Sequence, residues 1–367
     1  MTKAYTMAAL AESLDGTLIG DGDWVVKRVA HPAQIQDDAD IALVMDKGLV
    51  PLLQKAEIKA AIVMEGIEVP SSIRAAIVVG RSRLAMAKLN HLFEEHVEVA
   101  KGVHKTAILE EGVVLGKDVA IGAMSYIAAG AEIGDGTIIH PQVYVGPQVV
   151  IGPEGLIYSG VRIGARVKIG ARCILHFNTS IGADGFSFVT PEVGSVETAK
   201  ATGKVGDAYN VSLVRIASLG AVELGDDVEV GANSSIDRGT IISTSVGNGT
   251  KIDNQVQIGH NVRVGENCML CGRVGIAGSA TLGDRVVLGG ATGVADHVTV
   301  GDDTVCMAMS GIARSLPPRS LVGGTPARPR KKMIENMFNL SRIKALIKKI
   351  EALSSRVEAL EDQKLED

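Results

Sequence analysis

The chain has 367 residues and a formal net charge of −5, with 37 Lys and Arg against 42 Asp and Glu. That length suffices for two or three domains, and the mildly acidic balance gives no general affinity for nucleic acid or an anionic membrane. There are 43 glycines but only five Phe, five Tyr and one Trp, so the core must be filled by small and branched aliphatic side chains at regular intervals, as in a repeat protein.

The opening "MTKAYTMAALAESLDG" carries acidic residues where a signal peptide needs an apolar run. No window holds 18 uncharged apolar residues, so no transmembrane segment is expected and a soluble cytoplasmic protein is the default. Residues 1–100 read as a small α/β domain. Thr6 can cap a helix running through Leu14 and stopping at Gly16, "AAIVME" and "AAIVVG" read as buried strands, and "SRLAMAKLNHLFEE" has helical spacing.

From Val103 the chain takes up a six-residue period. Every sixth position through Val103, Leu109, Leu115, Ile121, Ile127, Ile133, Ile139, Val145, Ile151, Ile157, Ile163, Ile169, Leu175 and Ile181 is aliphatic, usually followed by Gly. The period breaks in the Gly, Pro and Thr-containing stretch after Ile181 and returns at Leu224, Val230, Ile236 and Ile242. A four-residue step then leads to Val246, from which the hexads run to Cys306. Six residues fit no helix but fit a short strand plus a turn, and hexapeptide arrays signal a parallel β-helix. Three hexads close one coil of 18 residues, so residues 18 apart stack across a parallel ladder; about ten coils at about 4.8 Å each give a prism about 45–50 Å long.

The repeats end in "GIARSLPPRSLVGGTPARPRKK", whose prolines argue against regular structure. A helix follows with Ile343, Leu346, Ile350, Leu353, Val357 and Leu360 spaced 3,4,3,4,3, an a/d seam that predicts association between chains. The expected boundaries are 1–100, 101–312 and 313–367.

Cys173, Cys268, Cys271 and Cys306 are too few for a disulfide framework, and the lone C-x-x-C of Cys268 and Cys271 lacks the second pair a zinc site needs. The histidines do not cluster as metal ligands, so no metal is expected. His140 and His176 each follow an inward aliphatic and read as structural corner residues.

His260 differs, because "KIDNQVQIGHNV" surrounds it with Asp253, Asn254, Gln257 and Asn261. Eighteen residues on lies Gly278, whose backbone N–H no side chain shields. An imidazole base beside an open backbone donor is what acyl transfer requires, the base taking a proton from the attacking amine or hydroxyl and the N–H stabilising the tetrahedral oxyanion. Asp253 is the candidate to orient the imidazole. No Ser or Cys adjoins His260 in sequence, which favours direct transfer from a bound donor. A ladder of corner turns and stacked amides would also account for these residues, and both readings stay open at this level.

The strings "IDNQVQIGHNVRVG", "SSIDRGT" and "GGATGVADHVTVGD" resemble the UDP-3-O-(3-hydroxyacyl)glucosamine N-acyltransferases of lipid A biosynthesis, and the likeness extends over nearly the whole chain. The resemblance implies a left-handed parallel β-helix, mainly β, with an N-terminal α/β nucleotide-sugar-binding domain and a C-terminal helical extension. It implies a homotrimer with active sites between subunits. The implied reaction moves a 3-hydroxyacyl chain from acyl carrier protein to the 2-amino group of a UDP-3-O-acylglucosamine, with no cofactor beyond the phosphopantetheine that carries the donor.

By motif, His260 is the implied base, Asp253 its partner and Gly278 the oxyanion donor, while His297, Asn254, Gln257 and Asn261 line the acceptor cleft. Arg314, Arg319, Arg328, Arg330, Lys331 and Lys332, uninterrupted by any acid, would dock the acidic carrier protein. One departure stands out. Where relatives hold the uracil between aromatics, this chain has "IALVMDKGL", with Leu43, Asp46 and Leu49 at the expected Phe, Asn and Tyr positions; by its place in that motif Asp46 is expected among the substrate-binding residues. Gly311 falls where some relatives carry a bulky residue limiting the acyl tunnel, which predicts room for a longer chain. The segment 182–215, with Phe186 and Phe188, is expected to border the cleft. The competing expectations are a hexapeptide acyltransferase with a different acceptor or a CoA donor, and a non-catalytic trimeric scaffold.

Overall fold

A computed structural model describes residues 3–55, 57–95, 99–207, 209–324 and 327–366, with side chains to residue 358. It divides into two compact units, Met1–Glu98 and Val99–Asp367.

The first unit is built on a five-stranded sheet. Four strands, Arg28–Ala30, Asp40–Val44, Ala60–Met64 and Ala75–Val79, run parallel, and Thr17–Gly20 pairs antiparallel with the last. The expected helices are present as α1 (Met7–Ser13), capped by Thr6 Oγ1 accepting from Ala9 N, and α2 (Ser82–Phe93). "DKGLVPLLQ" forms a 3-10 helix, Lys47–Gln54, whose first turn is closed by Asp46 Oδ1 accepting from Gly48 N at 2.6 Å. Leu43 and Leu49 pack into the apolar layers on the sheet's two sides.

The second unit is the expected parallel β-solenoid. Among the described residues, three ladders of eleven, ten and nine strands form its faces, here called faces 1, 2 and 3 in the order the chain visits them from Val103. Each strand is two to four residues long and turns one aliphatic inward; Ile121, Ile139, Ile163, Val230, Ile258 and Leu288 are all fully buried in one continuous core. Each such side chain contributes about 1.5–3 kcal/mol by burial, and buried hydroxyls cover the corner carbonyls, as where Thr250 Oγ1 donates to Gly265 O. His140 is buried and His176 bonds Glu229 at 2.9 Å, with Tyr158 stacked between the two rings. Burial lowers the His140 pKa, and both histidines are structural, as expected.

Three expectations are corrected. Ile242 is not an inward hexad residue: it is 52 % exposed. The chain runs from Ile236 on face 2 to Val246 on face 3, so the four extra residues widen a corner before the strand begins. The prolines do not end the solenoid at 312. Pro317 and Pro318 occupy a turn, where no ladder N–H is required, and Leu321–Val322 pairs with Val305–Cys306 as a further rung of face 1. Connector and helix also cluster with the prism rather than as a third unit.

The helix α4 (Arg330–Glu366) leaves Ile343, Leu346, Ile350, Leu353 and Val357 exposed, so this seam is not buried against its own prism; the Leu360 side chain lies outside the described residues. No described helix is long and apolar enough to cross a membrane.

The first unit contains a testable ion pair. Arg28 clamps the buried carboxylate of Asp40 through Nε at 2.7 Å and through a second, shorter bond from Nη2, while Gln36 N donates at 2.6 Å. Burial alone would raise the Asp40 pKa, but the Arg28 bond and the backbone donors outweigh it and hold the carboxyl below its ordinary value. The stability this contributes is therefore present above the ordinary carboxylate range and lost as pH falls through the depressed native value. Asp40→Asn is expected to cost ~1.5–3 kcal/mol at pH 7 and progressively less on acidification. Trp24, the only Trp, bonds Asp38 O in this unit, so its fluorescence during urea unfolding checks the prediction. A penalty independent of pH would contradict it.

Candidate active site

Every irregularity of the solenoid between residues 180 and 246 falls on one edge, the corner joining face 2 to face 3. The chain leaves face 2 after Ser180–Ala183 and rejoins face 3 at Val222–Leu224, so the long segment between them is an excursion from this corner. The widened corner after Ser235–Asp237 comes next, followed by the regular corners containing His260, Gly278 and His297.

The excursion folds back over this edge. Phe188–Val189 pairs antiparallel with Val214–Arg215, and α3 (Ser195–Thr202) lies between them in sequence. Lys200 Nζ reaches Asp296 Oδ2 at 2.7 Å beside His297. At the excursion's start, a Cβ on Gly185 would lie 2.6 Å from His260 Cβ, so only glycine lets the backbone pass this close. Gly185 N is held by Ser218 Oγ at 3.2 Å.

His260 is half-buried. Its Nδ1 lies 3.0 Å from Asn261 Oδ1, which also accepts from Thr240 N, while Asn261 Nδ2 donates to Ile242 O. These partners assign the Asn261 oxygen as an acceptor, so Nδ1 carries the proton and Nε2 presents its lone pair. Nε2 points at the next coil: a Cβ on Gly278 would stand 2.8 Å from both Nε2 and Cε1. Among the described residues the Gly278 N–H has no acceptor, whereas its neighbours Ala277 N and Ser279 N bond Val294 O and His260 O. The pairing of His260 with Gly278 that the 18-residue stacking predicts is therefore present. Ser279 is one coil away, and its hydroxyl makes no hydrogen bond to the ring among the described residues.

A cleft of ≈ 980 Å³ opens over this pair, lined by Gln257 and His297 as expected and by Phe186 and Phe188 of the excursion. Sequence reasoning missed its carboxylates, Asp184, Asp237 and Asp296. Burial raises the Asp237 pKa, with Gln257 and the nearby His260 pulling it partly back. The available signal was the widened corner: the four extra residues follow directly after Asp237.

One assignment is corrected within the chain. Asp253 and Asn254 lie on the corner between faces 1 and 2, one face away from His260, because seven residues span more than one side of the coil. The Asp253 carboxylate accepts from Asn254 N at 2.7 Å and Gly272 N at 2.8 Å, and Asn254 Oδ1 accepts from Ala232 N at 2.6 Å. The group orienting His260 in its own chain is Asn261. Asp46, expected among the substrate-binding residues, is exposed in the first unit and caps the 3-10 helix there through Oδ1. The six cations of the connector, Arg314, Arg319, Arg328, Arg330, Lys331 and Lys332, are all exposed, with Arg319 3.9 Å from Asp303. Among the described residues, no group of three or more His, Cys, Asp or Glu could hold a metal ion; Cys268 is buried and Cys271 half-buried as free thiols.

The chain matches the family model for bacterial transferase hexapeptide (six repeats) over residues 112–147, 130–165 and 243–278. The solved Arabidopsis UDP-N-acetylglucosamine acyltransferase shares the fold at TM-score 0.51 and 18 % identity, covering 66 % of this chain and 80 % of that one. Repeat and fold define the class as a parallel β-solenoid of hexapeptide repeats. The chain is 50 % identical over 276 residues to the UDP-3-O-acylglucosamine N-acyltransferase of Paracoccus denitrificans (strain Pd 1222), 75 % of each chain. It is 39 % identical over 360 residues to that of Desulfotalea psychrophila (strain LSv54 / DSM 12343), 98 % and 99 % of the two chains. It belongs to the UDP-3-O-acylglucosamine N-acyltransferase family and is an acyltransferase.

Gly278→Ala keeps the backbone N–H but is expected to drive the new methyl into the imidazole and lower the transfer rate by ~10² or more, the size of effect expected when a general base is displaced, while the melting temperature moves little. Undiminished transfer would show that the approach of Nε2 to Gly278 carries no chemistry.

Proposed function

We propose that the protein transfers a 3-hydroxyacyl group from acyl carrier protein to the 2-amino group of UDP-3-O-acylglucosamine, a step of lipid A synthesis. The observation that carries this reading is the His260 lone pair facing a coil whose backbone N–H at Gly278 has no acceptor among the described residues. The substrates follow the names of the relatives.

In this mechanism the amine attacks the thioester carbonyl as Nε2 of His260 takes its proton, and Asn261 Oδ1 holds Nδ1–H in place as positive charge develops on the ring. The Gly278 N–H donates to the oxyanion of the tetrahedral intermediate. Collapse breaks the carbon–sulfur bond, and the departing pantetheine thiolate takes the proton from the imidazolium, leaving amide, thiol and neutral histidine. His297, one coil beyond Gly278, and Gln257 bind the acceptor on either side of the reacting atoms. Asp253 and Asn254 enter this reading as groups presented to a neighbouring chain's cleft, which assembly as a homotrimer would allow; the exposed seam on α4 supports association. The connector's cations suit an acidic carrier protein.

Face 2 offers a path for the acyl chain. Beyond Gln257, its outward positions on three successive rungs are Gly275, Gly293 and Gly311, and a Cβ at any of them would meet nothing within 4 Å. A groove without side chains to stop it suits a long acyl group.

His260→Ala is expected to lower transfer from acyl carrier protein by ~10² or more; equal use of free CoA thioesters by the wild type would contradict the donor assignment. Across a series of acyl carrier proteins loaded with chains of increasing length, kcat/KM is expected to favour long chains. Gly311→Met should shift the optimum to shorter ones, and an optimum that is short in the wild type would contradict the groove.

A further inference from the structure

The excursion brings to the cleft a group of side chains that the transfer step does not use. Phe186 is 84 % exposed in a chain with five Phe. Its ring meets Phe188 edge-on at 5.0 Å, and the guanidinium of Arg215 lies 4.8 Å over the Phe188 ring, held there by the cross-strand pairing of the two residues. Among the described residues Arg215 has no carboxylate partner, whereas the cleft's other long cation, Lys200, is committed to Asp296. An open aromatic face beside a guanidinium with unspent donors suits a planar base attached to phosphate: the ring stacks the base, and the guanidinium takes phosphate oxygens. The first unit offers no such platform at "IALVMDKGL", because Leu43 and Leu49 are packed in its core layers and the Asp46 carboxylate caps a helix. The cleft lies at the upper end of the ~300–1,000 Å³ usual for ligand pockets, more room than an amine and a thioester require.

We propose that Phe186, backed by Phe188, stacks the base of the acceptor's nucleoside diphosphate and that Arg215 binds its phosphate oxygens, so that nucleotide and reacting amine share one cleft. The proposal rests on the acceptor assigned above. Its test is calorimetric titration of UDP into the full-length wild type and into Phe186→Leu, Phe186→Tyr and Arg215→Gln, together with KM for each substrate. UDP is expected to bind the wild type, to bind at least ~10-fold more weakly to Phe186→Leu and Arg215→Gln, and to be retained by Phe186→Tyr, which keeps the aromatic face. KM should rise for the UDP-linked acceptor and stay constant for acyl carrier protein. Both side chains are exposed, and an unchanged circular dichroism spectrum confirms that the variants fold. The proposal is overturned if the wild type does not bind UDP, if the Leu and Gln variants bind it as tightly as the wild type, or if only KM for the acyl donor rises. Binding needs no turnover, so UDP binding that depends on Phe186 and Arg215 in a protein that fails to acylate UDP-3-O-acylglucosamine would refute the proposed reaction and leave this subsite standing.

Discussion

The structure depends on one constraint: each two-residue strand must bury one aliphatic side chain and close its turn within six residues. Because three such units make a coil, a residue's neighbour in space is the residue 18 positions on, as Ile258 stands over Ile276. The core is thereby reduced to a stack of equivalent rungs, each contacting only the next. Any departure from six residues must be absorbed at a corner, since a slip within a strand would turn its aliphatic to solvent.

That rule explains where the chemistry sits. The long excursion and the four-residue widening occupy successive coils on the edge between faces 2 and 3, and the corner just beyond them carries His260. An excursion built on the prism supplies a wall that the prism alone lacks, and Gly185 allows that wall to lie against the histidine. The regular coils then fix the distance between His260 and Gly278 to one ladder spacing, which leaves the imidazole and the backbone donor little freedom to separate. Rigidity of this kind is what a preorganised oxyanion site requires.

Much of this was legible in the sequence. The period locates the inward residues, and its 18-residue stacking places Gly278 one coil beyond His260 from the sequence alone. The period could not say which corner a side chain occupies relative to its neighbours in sequence, so Asp253 was read as close to His260 when a whole face separates them. Asn261 was read as lining the cleft, yet its carbonyl oxygen is the atom that fixes the imidazole, because residue 261 turns its side chain back to the widened corner. Ile242 was misread because an aliphatic at the right interval in an irregular corner looks the same as one in a strand. Pro317 and Pro318 suggested an end to the solenoid, but a turn between rungs tolerates proline. For Asp237 the sequence offers only the four extra residues that follow it; that it shares the cleft with Asp184, Phe186 and Phe188 of the excursion is a tertiary fact the period does not carry.

The central claim is that the own-chain corner sets His260 with its proton on Nδ1 and its lone pair at Nε2, aimed at the next coil. Nitrogen NMR of the protein labelled with ¹⁵N-histidine, recorded at a pH where imidazole is neutral and assigned by comparison with His260→Ala, reads the tautomer directly. The account predicts that His260 has a protonated Nδ1 and an unprotonated Nε2, and that the preference weakens in Asn261→Ala. A proton found on Nε2 of His260 in the free enzyme would contradict it.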